Sequence, residues 1–357
     1  MIYLDYSATS LKRKDIVEEI FKNMERYDGN PESLHAYGRE ARKHLEDARD
    51  KIAESIGAKS HNIVFTSGAS EANNTIIKNF DHKDYKIISS KIEHPSILEP
   101  LKGVESRVVL IDCERDGRVN VEKIIESIDE DTKLVCLMYV NNETGVIQDV
   151  EKLGAVLKEK NIWFHVDAVQ AFCHIDIDVE KIHCDSLSLS GHKIGGLNGF
   201  GVLYVREKIE SLIYGGDQEH KRRAGTSFTM GAVSMAKSIE PCREEQEKIS
   251  DIKRYFLEQL KKSGIEYEIN GEKSVNHIVN VFFPKYKSDF LLMYMDMRNV
   301  SLSAGSACTA GNIEPSHVIT DMYDEERARH SIRFSFGFTN TREEIDRIMV
   351  ILKGLRG

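Results

Sequence analysis

The chain has 357 residues, 41% of them hydrophobic, and 49 basic against 58 acidic residues give a net charge of −9. This length predicts two domains, and the dispersed negative charge argues against nucleic acid as an obligatory partner. The longest apolar run, 134–140, is far shorter than the ~20 residues of a membrane helix, so no membrane partner is expected. The N-terminus lacks signal-peptide features and the six cysteines are scattered, so we expect a cytoplasmic protein.

Short apolar runs alternate with amphipathic stretches over the first 205 residues. Strands are predicted at 2–4, 63–66, 86–90, 107–111, 133–140, 162–166, 185–190 and 201–205. Helices are predicted at 15–27, 37–56, from about 69 onward, 95–102, 121–127 and 150–160. This alternation predicts an α/β fold, in which a mainly parallel seven-stranded sheet is flanked by helices in a large domain.

The pattern changes beyond about residue 235. Helices are predicted at 243–262, 288–298 and 341–355, and strands at 275–283 and 331–335. These elements predict a smaller α+β C-terminal domain. The expected division is a large domain at 14–240 and a small domain made of 1–13 with 241–357.

Lys193 directly follows the predicted strand 185–190, and Asp167 directly follows the predicted strand 162–166. Parallel strands end at the same edge of a sheet, where ligands bind in such folds. A lone loop lysine is ordinarily just solvated, but a strand-end lysine beside an acid has a chemical use. The lysine can attach to an aldehyde and the acid can pair with a pyridine nitrogen. The two residues therefore predict pyridoxal 5'-phosphate (PLP) as cofactor.

Further polar residues follow other strands at this edge. The turn at 67–68 before a helix presents backbone N–H groups suited to a phosphate, although an ordinary β–α turn looks the same. His94 can lie flat on the ring, with a solvated loop histidine as the alternative, and Asn142 or Gln170 can reach the ring oxygen. The candidate cofactor-binding residues at this edge are Gly68, Ala69, Ser70, His94, Asn142, Asp167, Gln170, Ser190, His192 and Lys193.

Five motifs occur in order along the chain. They are Thr66-Ser67-Gly68-Ala69-Ser70-Glu71, Glu93-His94, Val140-Asn141-Asn142-Glu143-Thr144-Gly145, His165-Val166-Asp167-Ala168-Val169-Gln170 and Ser190-Gly191-His192-Lys193. Together with the stretches 3–9 and 331–335, they resemble the cysteine desulfurase family. Members are fold-type I PLP enzymes of the class V aminotransferase group, so the resemblance implies that fold and that cofactor.

The resemblance also implies roles for residues outside this edge. Cys308, in the small-residue stretch 303–309, is the thiol expected to take sulfur from L-cysteine and to pass the persulfide to an acceptor protein. It joins Lys193 and His94 as the expected catalytic residues. Arg333 resembles the clamp for the substrate carboxylate, and Asn30 a residue near the substrate. Thr226 matches a threonine that, in the family, reaches the PLP phosphate of the neighbouring subunit. This match implies a homodimer with composite active sites.

The sequence departs from the family pattern in the loop 217–222 and in its short C-terminus. These departures leave the sulfur acceptor open between an iron–sulfur cluster scaffold, a tRNA-thiolation enzyme and another carrier. Preference for cysteine over selenocysteine is also left open.

Other functions remain as alternatives. Within PLP enzymes they are a selenocysteine lyase or a transaminase, and outside them a cofactor-free scaffold that carries sulfur. Cys308 favours the desulfurase, because a transaminase has no need of a loop thiol. No metal site is predicted, because the Cys–His pairs at 173–174 and 183–184 match no usual zinc spacing.

Overall fold

The computed structural model of the chain describes residues 1–305 and 314–356. The strands are β1 (Ile2–Tyr3), β2 (Ile63–Thr66), β3 (Lys86–Ser90), β4 (Arg107–Ile111), β5 (Thr132–Met138), β6 (Trp163–Asp167), β7 (Ser186–Ser190), β8 (Gly201–Val205), β9 (Glu268–Asn270), β10 (Ile278–Phe282), β11 (Val300–Ser301) and β12 (Ser331–Ser335). The helices are α1 (Lys14–Lys22), α2 (Ala36–Glu54), α3 (Ala69–Asn79), α4 (Pro95–Leu101), α5 (Val121–Glu126), α6 (Val150–Glu159), α7 (Val179–Ile182), α8 (Gln218–Lys221), α9 (Thr229–Glu244), α10 (Gln246–Lys262), α11 (Ser288–Asp296), α12 (His317–Met322), α13 (Glu325–Arg329) and α14 (Arg342–Lys353).

Seven strands form the large sheet in the order β2-β8-β7-β6-β5-β3-β4. The five strands from β7 to β4 run parallel, whereas β8 is antiparallel to both of its neighbours, β7 and β2. Strands β5 to β8 are almost entirely buried, as expected for a sheet covered on both faces. The predicted mainly parallel, seven-stranded α/β sheet is confirmed.

The C-terminal part has a sheet of its own. Strands β9, β10 and β12 pair in the antiparallel order β12-β10-β9, and β1 pairs in parallel with β11. A separate apolar cluster packs around this sheet, and it joins Ile2 and Leu4 of the N-terminus to side chains between residues 249 and 352. The first residues of the chain therefore fold with its last hundred.

The two-domain boundaries stay a prediction. The largest apolar cluster belongs to the large sheet, yet it also includes Val275, Ile278, Val318 and Ile319, which lie beyond residue 240. The two parts of the molecule thus share apolar contacts where they meet.

Two helices differ from their predicted form. The helix predicted at 15–27 ends at Lys22, and residues 24–26 form a separate single turn. Helix α9 was not predicted, although it spans 16 residues. Ten of those residues are buried, but they include Thr229, Gly231, Ser234 and Ser238, so the buried side does not stand out in the sequence as an apolar helical pattern.

Five cysteines belong to the described residues, and all five are buried and unpaired. Burial raises the pKa of the Cys113, Cys136, Cys173 and Cys184 thiols above the ordinary value, so these thiols stay protonated. Over residues 1–305 and 314–356, no helix has the length and apolar character needed to span a bilayer.

Candidate active site

A cavity of about 530 Å³ opens at the carboxyl ends of the parallel strands. Eleven of the predicted site residues line it: Gly68, Ala69, Ser70, His94, Asn142, Asp167, Gln170, Ser190, His192, Lys193 and Arg333. These residues come from six separate segments, so the fold brings them together as the strand-end argument requires.

Lys193 closes a single helical turn, 191–193, directly after β7. Its Nζ donates to the backbone oxygens of Ser7 at 2.5 Å and Ala8 at 2.9 Å. Burial and, second, the charge of Arg333 lower the pKa of Lys193 to about 7. A large fraction of this amine is therefore neutral and nucleophilic at neutral pH.

Asp167 is the last residue of β6, and its carboxylate is held from two sides. Oδ1 accepts a hydrogen bond from the backbone N–H of Val169 at 3.1 Å, and Oδ2 accepts one from Nδ2 of Asn73 at 3.0 Å. Both donors fix the orientation of the carboxylate. An oriented acid at this position suits a protonated ring nitrogen.

The first turn of α3 forms another wall of the cavity. Gly68 precedes the helix with a φ of 158° and provides no side-chain cap. The first N–H groups of a helix have no intrahelical partner and attract anions. A Cβ on Gly201 of β8 would lie 2.5 Å from the Cα of Gly68, so glycine is needed where this turn crosses the strand. The backbone of 68–70 is thus built to approach an anionic group.

His94 lies at the cavity as the N-cap residue of α4. Its Nδ1 accepts a hydrogen bond from the backbone N–H of Ser96 at 3.1 Å and lies 2.8 Å from the hydroxyl of the same residue. Burial lowers the pKa of His94, so the ring is neutral. With Nδ1 as acceptor, the proton of the neutral ring is on Nε2.

Arg333, in the middle of β12, reaches the cavity from the small sheet and is 1% exposed. Its Nη1 donates to the backbone oxygen of Asn142 at 2.9 Å, and Nη2 pairs with Oδ1 of Asp5 at 2.9 Å. Its Nε is buried without a hydrogen-bond partner among the described residues. The guanidinium is therefore rigidly placed and keeps donors free for a carboxylate.

Gln170, Ser190 and His192 complete the cluster around Lys193. Nε2 of Gln170 donates to the Ser7 oxygen at 2.8 Å, the oxygen that also accepts from Lys193. Burial lowers the pKa of His192 to about 3, so this side chain is neutral. Gln170 and Lys193 thus share one carbonyl of the N-terminal segment.

Two predicted site residues are not brought to this cavity. Asn30 and Thr226 are exposed and do not line it. The predicted catalytic Cys308 lies outside the described residues. An exposed Thr226 is free to reach a second subunit, and that role stays a prediction.

The loop that departs from the family pattern is held by a buried ion pair. Glu219, His220 and Lys221 have consecutive left-handed conformations, with φ of 49°, 56° and 66°. The carboxylate of Glu219 accepts from Nη1 and Nη2 of Arg49 at 2.7 and 2.9 Å and from the backbone N–H of Phe65 at 3.0 Å. Glu219 therefore anchors the middle of this loop to α2 and β2.

Sequence reasoning missed several residues that hold the site. Asp5, Ser7 and Ala8 contact Arg333 or Lys193, yet they lie more than 180 positions away in the sequence. No local signal could have indicated these contacts. Asn73, behind Asp167, was also missed.

The donor set matches the parts of PLP. A lysine with a lowered pKa is available for the aldehyde, the carboxylate of Asp167 for the ring nitrogen, and the first turn of α3 for the phosphate. The neutral ring of His94 and a cavity of about 530 Å³ can accept a flat heterocycle. The residues present fit this cofactor.

Comparison with known proteins agrees with this chemistry. The sequence profile of the Aminotransferase class-V family matches residues 2–348. A Bacillus subtilis (strain 168) relative, provisionally named cysteine desulfurase IscS 1, is 43% identical over 96% of this chain and 95% of its own length. The chain belongs to the cysteine desulfurase family. The family is PLP-dependent, so the predicted cofactor is confirmed at the level of the family.

Solved structures support the same assignment to the desulfurase family. A "NIFS-LIKE PROTEIN" superposes with a TM-score of 0.90 at 32% identity, and the match covers 99% of each chain. A second structure, "SspA in complex with cysteine", has a TM-score of 0.84 at 33% identity and covers 94% of this chain and 99% of its own. Both matches show that the desulfurase fold extends across nearly the whole chain.

Proposed function

We propose that this member of the family is a PLP-dependent cysteine desulfurase that converts L-cysteine to L-alanine and transfers the sulfur, as a persulfide on Cys308, to an acceptor protein. The single observation that carries the proposal is the meeting of Lys193, Asp167 and Arg333 in one cavity. A half-neutral amine, a fixed carboxylate and a guanidinium with free donors are what an amino-acid substrate and PLP require together.

Each cavity residue has a separate role in the reaction, which follows from its chemistry. PLP, when bound, supplies an electron sink for the pair released at the substrate Cα. Arg333 binds the substrate carboxylate through its free N–H groups, and this orients the Cα–H bond. Lys193, neutral near pH 7, removes the Cα proton and later returns a proton. His94, with its proton on Nε2, lines the cavity where the ring would bind, and would be able to supply that proton.

Sulfur transfer also requires a thiol, and the cavity residues named above do not include one. The thiolate of Cys308 attacks the sulfur of the substrate, so that an S–S bond forms while the Cβ–S bond breaks. The electron pair of that bond stays on the substrate carbon, which takes up a proton and leaves as alanine. The enzyme thiol and cysteine thus become a persulfide and alanine without an external oxidant. An ordinary thiol is already a few per cent thiolate at neutral pH, which suffices for this attack.

We propose that the five described cysteines take no part in this transfer. Burial raises the pKa of four of them, and Cys242 is 3% exposed. Neither a substrate nor an acceptor protein can reach such thiols. This leaves Cys308 as the candidate sulfur carrier.

We also propose the finer points of assembly. The protein works as a homodimer in which Thr226 completes the phosphate site of the neighbouring subunit, and its exposure supports this. Asn30, also exposed, serves near the substrate. Residues 14–240 and 1–13 with 241–357 act as two domains, so that Lys193 and Arg333 face each other across their boundary. The scattered reduced cysteines support a cytoplasmic setting.

The deciding experiment is an assay with L-cysteine as sole substrate. The PLP-loaded protein is expected to release sulfide in the presence of a reductant and to form alanine in equal amounts. If alanine forms without sulfur on the protein, or if pyruvate is the product, the desulfurase proposal is wrong. The lyase or transaminase alternative would then take its place.

A further inference from the structure

A chain of hydrogen bonds lies behind the cavity and ends at two of its residues. It begins at Trp163, whose Nε1 contacts the hydroxyl of Ser186 at 2.8 Å. That hydroxyl lies 2.9 Å from Nδ1 of His165, and Nε2 of His165 lies 2.9 Å from Oδ1 of Asn73. Asn73 and His165 are 0% exposed, so no water competes for these bonds.

The first members of this chain allow one direction of donation. An indole N–H can only donate, so Ser186 accepts from Trp163, and its hydroxyl hydrogen is available for Nδ1 of His165. Burial lowers the pKa of His165 to about 3, so the ring carries a single proton. The contacts of Asn73 decide which ring nitrogen carries it.

The far end of the chain requires the same direction. With Oδ1 turned toward His165, the amide nitrogen of Asn73 faces the cavity side and has two hydrogens. Nδ2 lies 3.0 Å from Oδ2 of Asp167 and 2.9 Å from the hydroxyl of Ser96. A carboxylate can only accept, so a flipped Asn73 would place two oxygens against each other. Asp167 therefore selects one orientation of this amide, in which Oδ1 of Asn73 accepts from Nε2 of His165 and the Ser186 hydroxyl donates to the bare Nδ1.

Ser96 connects Asn73 to the second residue of the cavity. Its hydroxyl accepts from Asn73 and lies 2.8 Å from Nδ1 of His94, which has no proton of its own to give. The hydroxyl hydrogen is therefore donated to His94. This keeps the proton of the His94 ring on Nε2 and fixes the plane of the ring.

From this arrangement we infer that Asn73 is the positioning residue for both Asp167 and His94, and that His165 sets its orientation. Asn73 does not line the cavity, so it acts only through the two residues that do. One buried amide thus aligns the acid for the ring nitrogen with the histidine that faces the ring. The inference rests on the proposed PLP function of this cavity and deepens it.

The test uses cofactor affinity, measured by equilibrium dialysis of apoprotein against PLP. Asn73→Leu removes both donors at nearly constant volume and is expected to weaken PLP binding about tenfold or more, because a buried bond to a charged group is lost. Asn79→Leu is the matched control on the same helix, since its amide contacts Thr75 and Glu210 away from the cavity. It is expected to bind PLP like the parent.

His165 provides a test by rescue. His165→Leu is expected to weaken PLP binding, whereas His165→Gln is expected to restore most of it, because a glutamine amide can donate from the position of Nε2. Since His165 acts through Asn73, the double variant with Asn73→Leu should bind no worse than Asn73→Leu alone. If His165 only filled space, His165→Leu and His165→Gln should bind PLP equally.

A spectroscopic readout needs no cofactor. In apoprotein labelled with nitrogen-15 at histidine, the His94 signal should show a protonated Nε2 and a bare Nδ1. Asn73→Leu should change this signal, and Asn79→Leu should not.

Unchanged PLP affinity in Asn73→Leu, or equal binding by His165→Leu and His165→Gln, would overturn the inference while leaving the proposed function intact. If Asn73→Leu fails to fold, the His165 pair decides. A parent protein that binds no PLP would instead contradict the proposed function itself.

Discussion

Lys193 donates through Nζ to the backbone oxygen of Ser7 at 2.5 Å, and the two residues are 186 positions apart in the sequence. The N-terminal segment, which folds with the small sheet, therefore holds Lys193 at the end of β7 in the large sheet. The carbonyl oxygens orient the Lys193 amine, but they have no full negative charge that would raise its pKa. Burial can then lower the pKa of Lys193 to about 7.

This pKa predicts how cofactor capture depends on pH. Only the neutral amine attacks an aldehyde, so the rate at which apoprotein links PLP should rise about tenfold per pH unit below 7 and level off above it. Stopped-flow absorbance from pH 5.5 to 9 measures the midpoint. A midpoint near 10, the ordinary pKa of lysine, would contradict the described environment of Lys193. Borohydride should fix the cofactor on Lys193, and Lys193→Ala should retain none after this treatment.

The same shift has a consequence for stability. Between pH 7 and about 10 the unfolded chain binds a proton at Lys193 that the folded apoprotein does not, so this group makes folding more favourable as pH rises through that window. The unfolding free energy of Lys193→Met apoprotein should lack this part of the pH dependence. An identical pH dependence in parent and variant would count against the lowered pKa.

Arg333 is predicted to determine the affinity for substrate. Arg333→Lys keeps a charge beside Asp5 but loses the planar pair of donors, so KM for L-cysteine should rise about tenfold to a hundredfold while PLP stays bound. Steady-state kinetics with a PLP absorbance check measures both. Arg327→Lys is the matched control, because Arg327 pairs with Glu268 away from the cavity. Equal KM values for the two variants would exclude Arg333 as the carboxylate clamp.

Glu219 is predicted to stabilise the fold through its buried pair with Arg49. Glu219→Ala leaves the buried guanidinium without its main partner and should lower the unfolding free energy by about 3–5 kcal/mol. Glu46 also pairs with Arg49, but its side chain is 49% exposed, so Glu46→Ala should cost under about 1 kcal/mol. Urea unfolding measures both variants, and similar losses in the two would contradict this division.

The strand-end residues indicated by the sequence lie at one cavity, because parallel strands end at the same edge of a sheet, and their roles stay predictions. Asp167, Lys193 and His94 each follow a strand or its first loop, and the rule needs no long-range information. Contacts between distant segments follow no such rule, which is why Asp5 and Ser7 were missed. His165 did carry a signal: two residues before Asp167 in a strand, it must share a face with that acid.

A mixed dimer tests whether Thr226 completes the site of the other subunit. Thr226→Ala should weaken PLP binding, and Lys193→Ala should abolish covalent attachment. In a dimer of one protomer of each kind, the protomer with Lys193 receives an intact threonine from its partner. Its PLP affinity should therefore return to the parental value. Persistent weak binding in mixed dimers, or a monomer in sedimentation that retains PLP, would contradict composite sites.

The most direct test of the central claim is the fate of sulfur in Cys308→Ala. Binding of PLP and removal of the Cα proton depend on Lys193, whereas only sulfur transfer requires the thiol. Incubated with L-cysteine, the PLP-loaded variant should exchange the Cα proton with deuterated water. It should form no alanine at a useful rate and carry no added sulfur by mass spectrometry, while the parent carries one sulfur on Cys308. Alanine release from Cys308→Ala at the parental rate would contradict the persulfide account.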